Sequence, residues 1–181
     1  HTGAFKVRGA FNKLLNLDPE RLERGVVAVS AGNHAQAVAF ACGELGCDAL
    51  ILMPEDTPGN YVAKTKGLGA AVEFYPSMND AFAAAREYEA AGRIYVHPFD
   101  DPNVIAGQGT IGLEILEDVP DVTDVVVSIG GGGLAAGVAA AVKAVRPEAN
   151  IWGVETRGAH SMAAALAADK VVELSNLGSI A

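Results

Sequence analysis

The chain has 181 residues, half of them hydrophobic and 19% charged, which supports a sizeable core and excludes a disordered chain. Its formal net charge of −9 excludes a nucleic-acid partner and an anionic membrane surface as the organising feature. With so few cations, a phosphate site is expected to be built locally from backbone amides rather than from a basic patch.

In chain order, short apolar runs alternate with alanine-rich runs of helical spacing. The runs at 26–29, 49–53, 71–74, 94–96, 125–129 and 151–154 are apolar and rich in β-branched residues. Continuous apolar runs of this length suit strands buried on both faces of a parallel sheet. Helices are expected over 35–45, 81–91, 105–116 and 134–145, and Ser77 with Asp80 resembles a capping box opening the second. The pattern predicts an α/β fold, with parallel sheets and flanking helices. Breaks fall at 54–59 and 97–102. The second divides the chain into residues 1–100, holding four strands, and 101–181, holding two. Two strands do not make a stable sheet core, so the second part reads as an incomplete domain. The chain starts at His1 rather than Met, inside a loop rich in chemistry, and reads as a fragment truncated at both ends.

Cys42 and Cys47 are too few for a disulfide framework and lack partners at metal-ligand spacing. They suit a reduced, cytoplasmic chain. No apolar run reaches the roughly 20 residues that span a membrane, and no signal-peptide pattern is present.

Three segments carry chemistry. Lys6 follows Gly3, precedes a helical run and is flanked by Phe5 and Arg8. Desolvation or a neighbouring cation lowers a lysine pKa and makes the amine nucleophilic; alone, the residue is equally a surface lysine at a helix start. The loop Ser30-Ala31-Gly32-Asn33-His34 follows a strand and opens a helix. The unpaired amides of a helix N-terminus bind carboxylates, and Ser30 and Asn33 add side-chain polarity. The alternative is that Ser30 or Asn33 caps the helix and His34 is a part-buried polar residue. The loop Gly130-Gly131-Gly132-Gly133 lies between a strand and the helix opened by Leu134. Four glycines let amides crowd around a phosphate with the helix dipole behind them. The spacing is neither the dinucleotide fingerprint nor a Walker loop. One amine, one polar loop and one glycine loop in this order are what a phosphorylated aldehyde cofactor needs.

The chain resembles the pyridoxal-phosphate enzymes of the tryptophan-synthase-β fold type (fold type II), most closely the threonine and serine dehydratases and their serine racemase relatives. The resemblance runs along the whole sequence. It implies that Lys6, in Thr2-Gly3-Ala4-Phe5-Lys6-Val7-Arg8, is the Schiff-base lysine, with Phe5 beside it as a cofactor-binding residue. It implies that Ser30, Ala31, Gly32, Asn33 and His34 hold the substrate carboxylate, Asn33 also facing the cofactor's ring hydroxyl. It makes Gly130, Gly131, Gly132 and Gly133, with Leu134, the phosphate loop. His97-Pro98-Phe99-Asp100 and Ala106-Gly107-Gln108-Gly109-Thr110 are also similar to family segments. In serine racemases the position of Ala31 is a serine that moves a proton, so alanine favours a dehydratase. The stretch from Glu155 to Ser161 is similar to the dehydratases' monovalent-cation site, which implies Glu155, Ala159 and Ser161 as ligands. One carboxylate among neutral oxygens suits potassium over magnesium.

The expected function is a lyase: β-elimination from L-threonine or L-serine, giving a 2-oxo acid and ammonia. The alternatives are a serine or aspartate-type racemase, a non-catalytic phosphate-binding module, and a nucleotide-binding α/β protein, which lacks its acidic ribose partner. The partners implied are a small hydroxy-amino acid and further copies of the full-length chain in a homo-oligomer.

Overall fold

The structure, a computed structural model, describes residues 2–172. Among these residues fourteen elements run in the order α1 (Lys6–Leu15), α2 (Pro19–Leu22), β1 (Val26–Val29), α3 (Asn33–Leu45), β2 (Ala49–Pro54), α4 (Gly59–Gly67), β3 (Ala71–Tyr75), α5 (Met78–Ala90), β4 (Ile94–Tyr95), α6 (Pro102–Asp118), β5 (Asp124–Ser128), α7 (Gly133–Val145), β6 (Asn150–Val154) and α8 (Ser161–Ala168). The chain forms two compact units, His1–Gly107 and Gln108–Ala181, and α6 runs through the division.

The first unit is a four-stranded parallel sheet of order β3-β2-β1-β4. Its central strands β1 and β2 are buried throughout, as expected of apolar runs with helices on both faces. Alternate residues face opposite layers. Val26, Ala28, Ile51 and Met53 join Ala10 and Leu14 of α1 and Val38 of α3 in one cluster, while Val27, Val29, Leu50 and Leu52 pack on Ala81 and Ala85 of α5. Phe11 of α1 meets Phe40 of α3 edge to face at 5.9 Å. Ser77 caps α5 by accepting the Asp80 amide at 3.2 Å, and its hydroxyl donates to the Asp80 carboxylate at 2.6 Å.

Helices α1 and α6 approach closely. A Cβ on Gly107 would stand 2.6 Å from the Arg8 carbonyl and from Gly9 Cα. The start of α6 is tied to α1 as well: Asp101 accepts the Asn103 and Val104 amides and pairs with Lys13 at 2.7 Å.

The second unit pairs β5 with β6 in parallel. Val125 and Val127 face a cluster with Val138 and Val142 of α7 and Ile111 and Ile115 of α6. Gly109 and Gly112 of α6 lie against Gly137, Val138 and Ala141 of α7, so closely that an added Cβ would stand 2.9 to 3.0 Å from them. The expectation of strands buried on both faces fails here. Val126, Trp152 and Val154 are 68%, 56% and 52% exposed, because among the described residues only one layer of helices covers this two-stranded sheet. The edge strand β3 is likewise largely exposed. No described helix is long and apolar enough to cross a membrane.

Candidate active site

The polar loops follow the carboxyl ends of parallel strands, where ligands of open α/β sheets gather. In the first unit, Lys6 is the first residue of α1. Its Nζ donates to the Pro98 carbonyl at 2.5 Å and lies 5.4 Å from the centre of the Phe5 ring. Burial lowers its pKa below the usual lysine value. Arg8, expected from the sequence to share in that effect, is not among its causes.

The loop between β1 and α3 leads into a helix whose first-turn amides stay open. Gly32, not Ser30 or Asn33, is the N-cap of α3, and no side chain caps the helix. Ser30 Oγ instead accepts the Gly32 amide at 3.0 Å, which leaves its hydroxyl proton available to a ligand. Asn33 opens the helix with its side chain exposed. The first-turn amides have no intrahelical partner. His34 differs from its neighbours: its imidazole is buried, with Nε2 2.9 Å from the Val96 carbonyl. Only a protonated Nε2 can donate there, so Nδ1 is the bare nitrogen, and it is buried without a partner. Burial pushes the His34 pKa down to about 4, opposed by the Val96 hydrogen bond and helped by the charge of Lys6. What His34 can present to a carboxylate is therefore its backbone amide. A cavity of about 460 Å³ adjoins this loop, lined by Ala31, Pro54, Asp56, Thr57 and Ser77 among others.

The segment after β4 completes the surroundings of Lys6. His97 Nδ1 accepts the amides of Phe99 and Asp100 at 3.3 and 2.7 Å. Its ring sits among Phe82, Tyr95 and Phe99, with centroids 4.6 to 6.0 Å away. Burial lowers its pKa too. This rigid turn aims the Pro98 carbonyl at Lys6. The sequence marks the segment by its resemblance only, because a backbone acceptor has no side-chain signature.

In the second unit the tetraglycine loop joins β5 to α7. Gly130 and Gly131 are exposed, and Gly132 is the N-cap of α7 at φ +88°, a left-handed conformation that favours glycine. A Cβ on Gly130 would meet nothing within 4 Å, so that face of the loop is open to a ligand. Gly133 is buried at the start of α7, and Leu134 packs into the α6–α7 cluster. Leu134 therefore has only its amide, not its side chain, on the loop's open side. Further along, Glu155 accepts the amides of Met162 and Ala163 at 2.8 and 2.9 Å, capping α8 with both carboxylate oxygens. The Ala159 amide bonds to the Thr156 carbonyl at 3.0 Å, and Ser161 begins α8. A cavity of about 460 Å³ borders Glu155, Thr156, Arg157 and His160. No group of three or more His, Cys, Asp or Glu that could hold a metal occurs among the described residues.

The first unit holds a half-buried lysine amine and an uncapped helix start, the second a glycine-lined helix start, in an α/β chain of the fold type II class. An amine of lowered pKa and a glycine loop with an open face would fit a phosphorylated aldehyde cofactor. The family model described as "Pyridoxal-phosphate dependent enzyme" matches residues 1–181, and the chain belongs to that family. It is 53% identical over 167 residues to the L-threonine ammonia-lyase of Thermotoga maritima, covering 91% of this chain and 42% of that protein. It is 47% identical over 182 residues to the catabolic L-threonine dehydratase of Escherichia coli K12, covering 99% and 55%. Among solved structures, maize serine racemase matches with a TM-score of 0.94 at 38% identity, over 99% of this chain and 55% of that one. Threonine deaminase isoform 2 of Solanum lycopersicum matches with a TM-score of 0.90 at 46% identity, over 96% and 51%. The chain thus spans about half the length of these relatives.

Proposed function

We propose that the chain carries the cofactor-holding part of an ammonia-lyase that converts L-threonine or L-serine to a 2-oxo acid and ammonia. The observation that carries this reading is the desolvated Lys6 amine, held by the Pro98 carbonyl in the same unit as the open Ser30–His34 loop. Relatives named as L-threonine ammonia-lyases and dehydratases support the substrate class. When bound, pyridoxal phosphate supplies an electron sink for the pair left behind as the α-proton departs. Lys6 would hold the cofactor and take that proton, a role its lowered pKa suits. Ser30 donates its free hydroxyl proton to the substrate carboxylate, and the first-turn amides of α3 add their dipole. Asn33, exposed at the start of α3, would hydrogen-bond the cofactor's ring hydroxyl. The amides at Gly130, Gly131, Gly132, Gly133 and Leu134 hold the phosphate.

A potassium ion belongs to the same proposal, with Glu155, the Ala159 carbonyl and the Ser161 hydroxyl as ligands. Each Glu155 oxygen accepts one amide from α8 and keeps a lone pair for a weakly held monovalent ion. A homo-oligomer and a cytoplasmic location are proposed for the full-length protein on its resemblance alone.

Serine racemisation is a second reading, favoured by the likeness to maize serine racemase and opposed by Ala31, which has no proton to move. The first experiment is borohydride reduction of the full-length protein with the cofactor bound. The absorbance band of the cofactor-linked lysine is expected to vanish on reduction and to map to Lys6. Lys6→Ala is expected to lose at least about a hundredfold in 2-oxobutyrate formation from threonine. Normal turnover in that variant would sink the assignment.

A further inference from the structure

The opposite end of the first unit's sheet holds a feature that this activity does not use. The acidic chain has only 13 lysines and arginines, yet Lys13, Arg21, Arg24 and Arg93 line one cavity of about 370 Å³. That volume is within the range of small-ligand pockets, about 300–1,000 Å³. The sequence-based expectation, that no phosphate site would be built from cations, does not anticipate this grouping. The four residues come from α1, α2 and the turns that lead into β1 and β4.

Two of the cations are fixed in place. Lys13 pairs with Asp101 at 2.7 Å. Arg93 donates to the Val26 carbonyl at 3.3 Å and lies 5.9 Å from the Tyr88 ring. Gly25, at φ +75°, makes room for it: a Cβ there would stand 3.0 Å from the Arg93 guanidinium. Arg21 and Arg24 are exposed and have no side-chain partner among the described residues. The cavity wall includes one carboxylate, Glu89. Four cations against Asp101 and Glu89 leave two positive charges, those of the unpaired arginines. Arginine forks are suited to planar and tetrahedral oxyanions.

The location separates this cavity from the catalytic loop. Arg24 and Arg93 precede the first residues of β1 and β4, whereas Ser30 and His97 follow the last. We propose that the cavity is a second anion site, which binds a small dianion, a phosphate monoester or a dicarboxylate. Arg21 and Arg24 close on the anion while Lys13 and Arg93 provide a fixed positive field.

The test uses the full-length protein saturated with pyridoxal phosphate, so that the glycine loop is filled. Inorganic phosphate and succinate are titrated separately by calorimetry into the parent and into Arg21→Gln/Arg24→Gln. Saturable binding of one probe is expected, weakening with added salt and falling about tenfold for each arginine removed. The favoured probe distinguishes a phosphate ester from a dicarboxylate. Both arginines are exposed, so the melting temperature of the double variant is expected to match the parent. Absence of binding by either probe, or equal binding by parent and double variant, overturns the proposal. Equal binding would place the anion elsewhere, the glycine loop included.

Discussion

The environment of His34 departs far from what water would give it. The side chain is fully enclosed, one nitrogen bonded to the Val96 carbonyl and the other bare. Its pKa falls from 6.5 to about 4. A base with a lowered folded pKa binds its proton more readily when unfolded. Its contribution to stability is therefore complete above pH 6.5 and is lost as pH falls toward 4, up to about 3 kcal/mol. His97, also lowered by burial, acts in the same direction. Urea unfolding of the full-length protein between pH 7 and pH 4 is expected to show this slope, and His34→Gln to flatten it by roughly that amount. An unchanged slope in the variant would mean that His34 titrates normally. Ala31 makes a different prediction, since a methyl group moves no proton. Ala31→Ser is expected to raise D-serine formation from L-serine relative to pyruvate, measured by chiral chromatography. No gain in D-serine would mean that the position does not decide between the two outcomes. The sequence points to Lys6, Asn33 and the glycines because each is a choice of residue type. It does not point to the uncapped start of α3 or the Pro98 carbonyl, because they consist of backbone groups placed by distant packing.

At the scale of elements, the apolar runs located the six strands of the described residues, β1 with its expected bounds and the others within a residue or so. Hydrophobic continuity marks a strand wherever helices cover it. Helices α2, α4 and α8 went unseen. The first is a four-residue turn, and α4 has only one buried residue to impose a period. The packing of α1 on α6 was equally hidden, since Gly107 reads in sequence as one small residue among several. It has a decisive role in how α1 is held. Replacing a mid-helix glycine by alanine gains up to about 1 kcal/mol in helix propensity. Here the new Cβ would meet the α1 backbone at 2.6 Å, and backbone yields less than a side-chain tip. Overpacking of this kind costs about 1–3 kcal/mol, so the clash outweighs the propensity. Gly107→Ala is expected to lower the melting temperature and, by displacing the helix that begins at Lys6, to weaken pyridoxal-phosphate binding. Thermal unfolding and cofactor titration would check both. A variant more stable than the parent would show that α1 and α6 separate freely.

Over the whole molecule, the two units differ in how completely their sheets are covered. The first has helices on both faces of its central strands; the second shows Val126, Trp152 and Val154 on a bare face. Burying such side chains contributes about 1.5–3 kcal/mol each, and exposed apolar patches mark surfaces that meet other protein. We take the occupant to be the remainder of the full-length chain, because the relatives are about twice as long as the part matched. Trp152 is the only tryptophan of these 181 residues. Its indole donates to Asp124 at 2.7 Å, which fixes the ring on that face. Acrylamide is therefore expected to quench Trp152 readily in the 181-residue chain. In the full-length protein, with any other tryptophans replaced by phenylalanine, quenching should weaken and the emission shift to shorter wavelength. The short chain is also expected to self-associate at concentrations where the full-length protein keeps one defined size. Equal quenching in both would leave the face open to solvent and require a different partner to cover it.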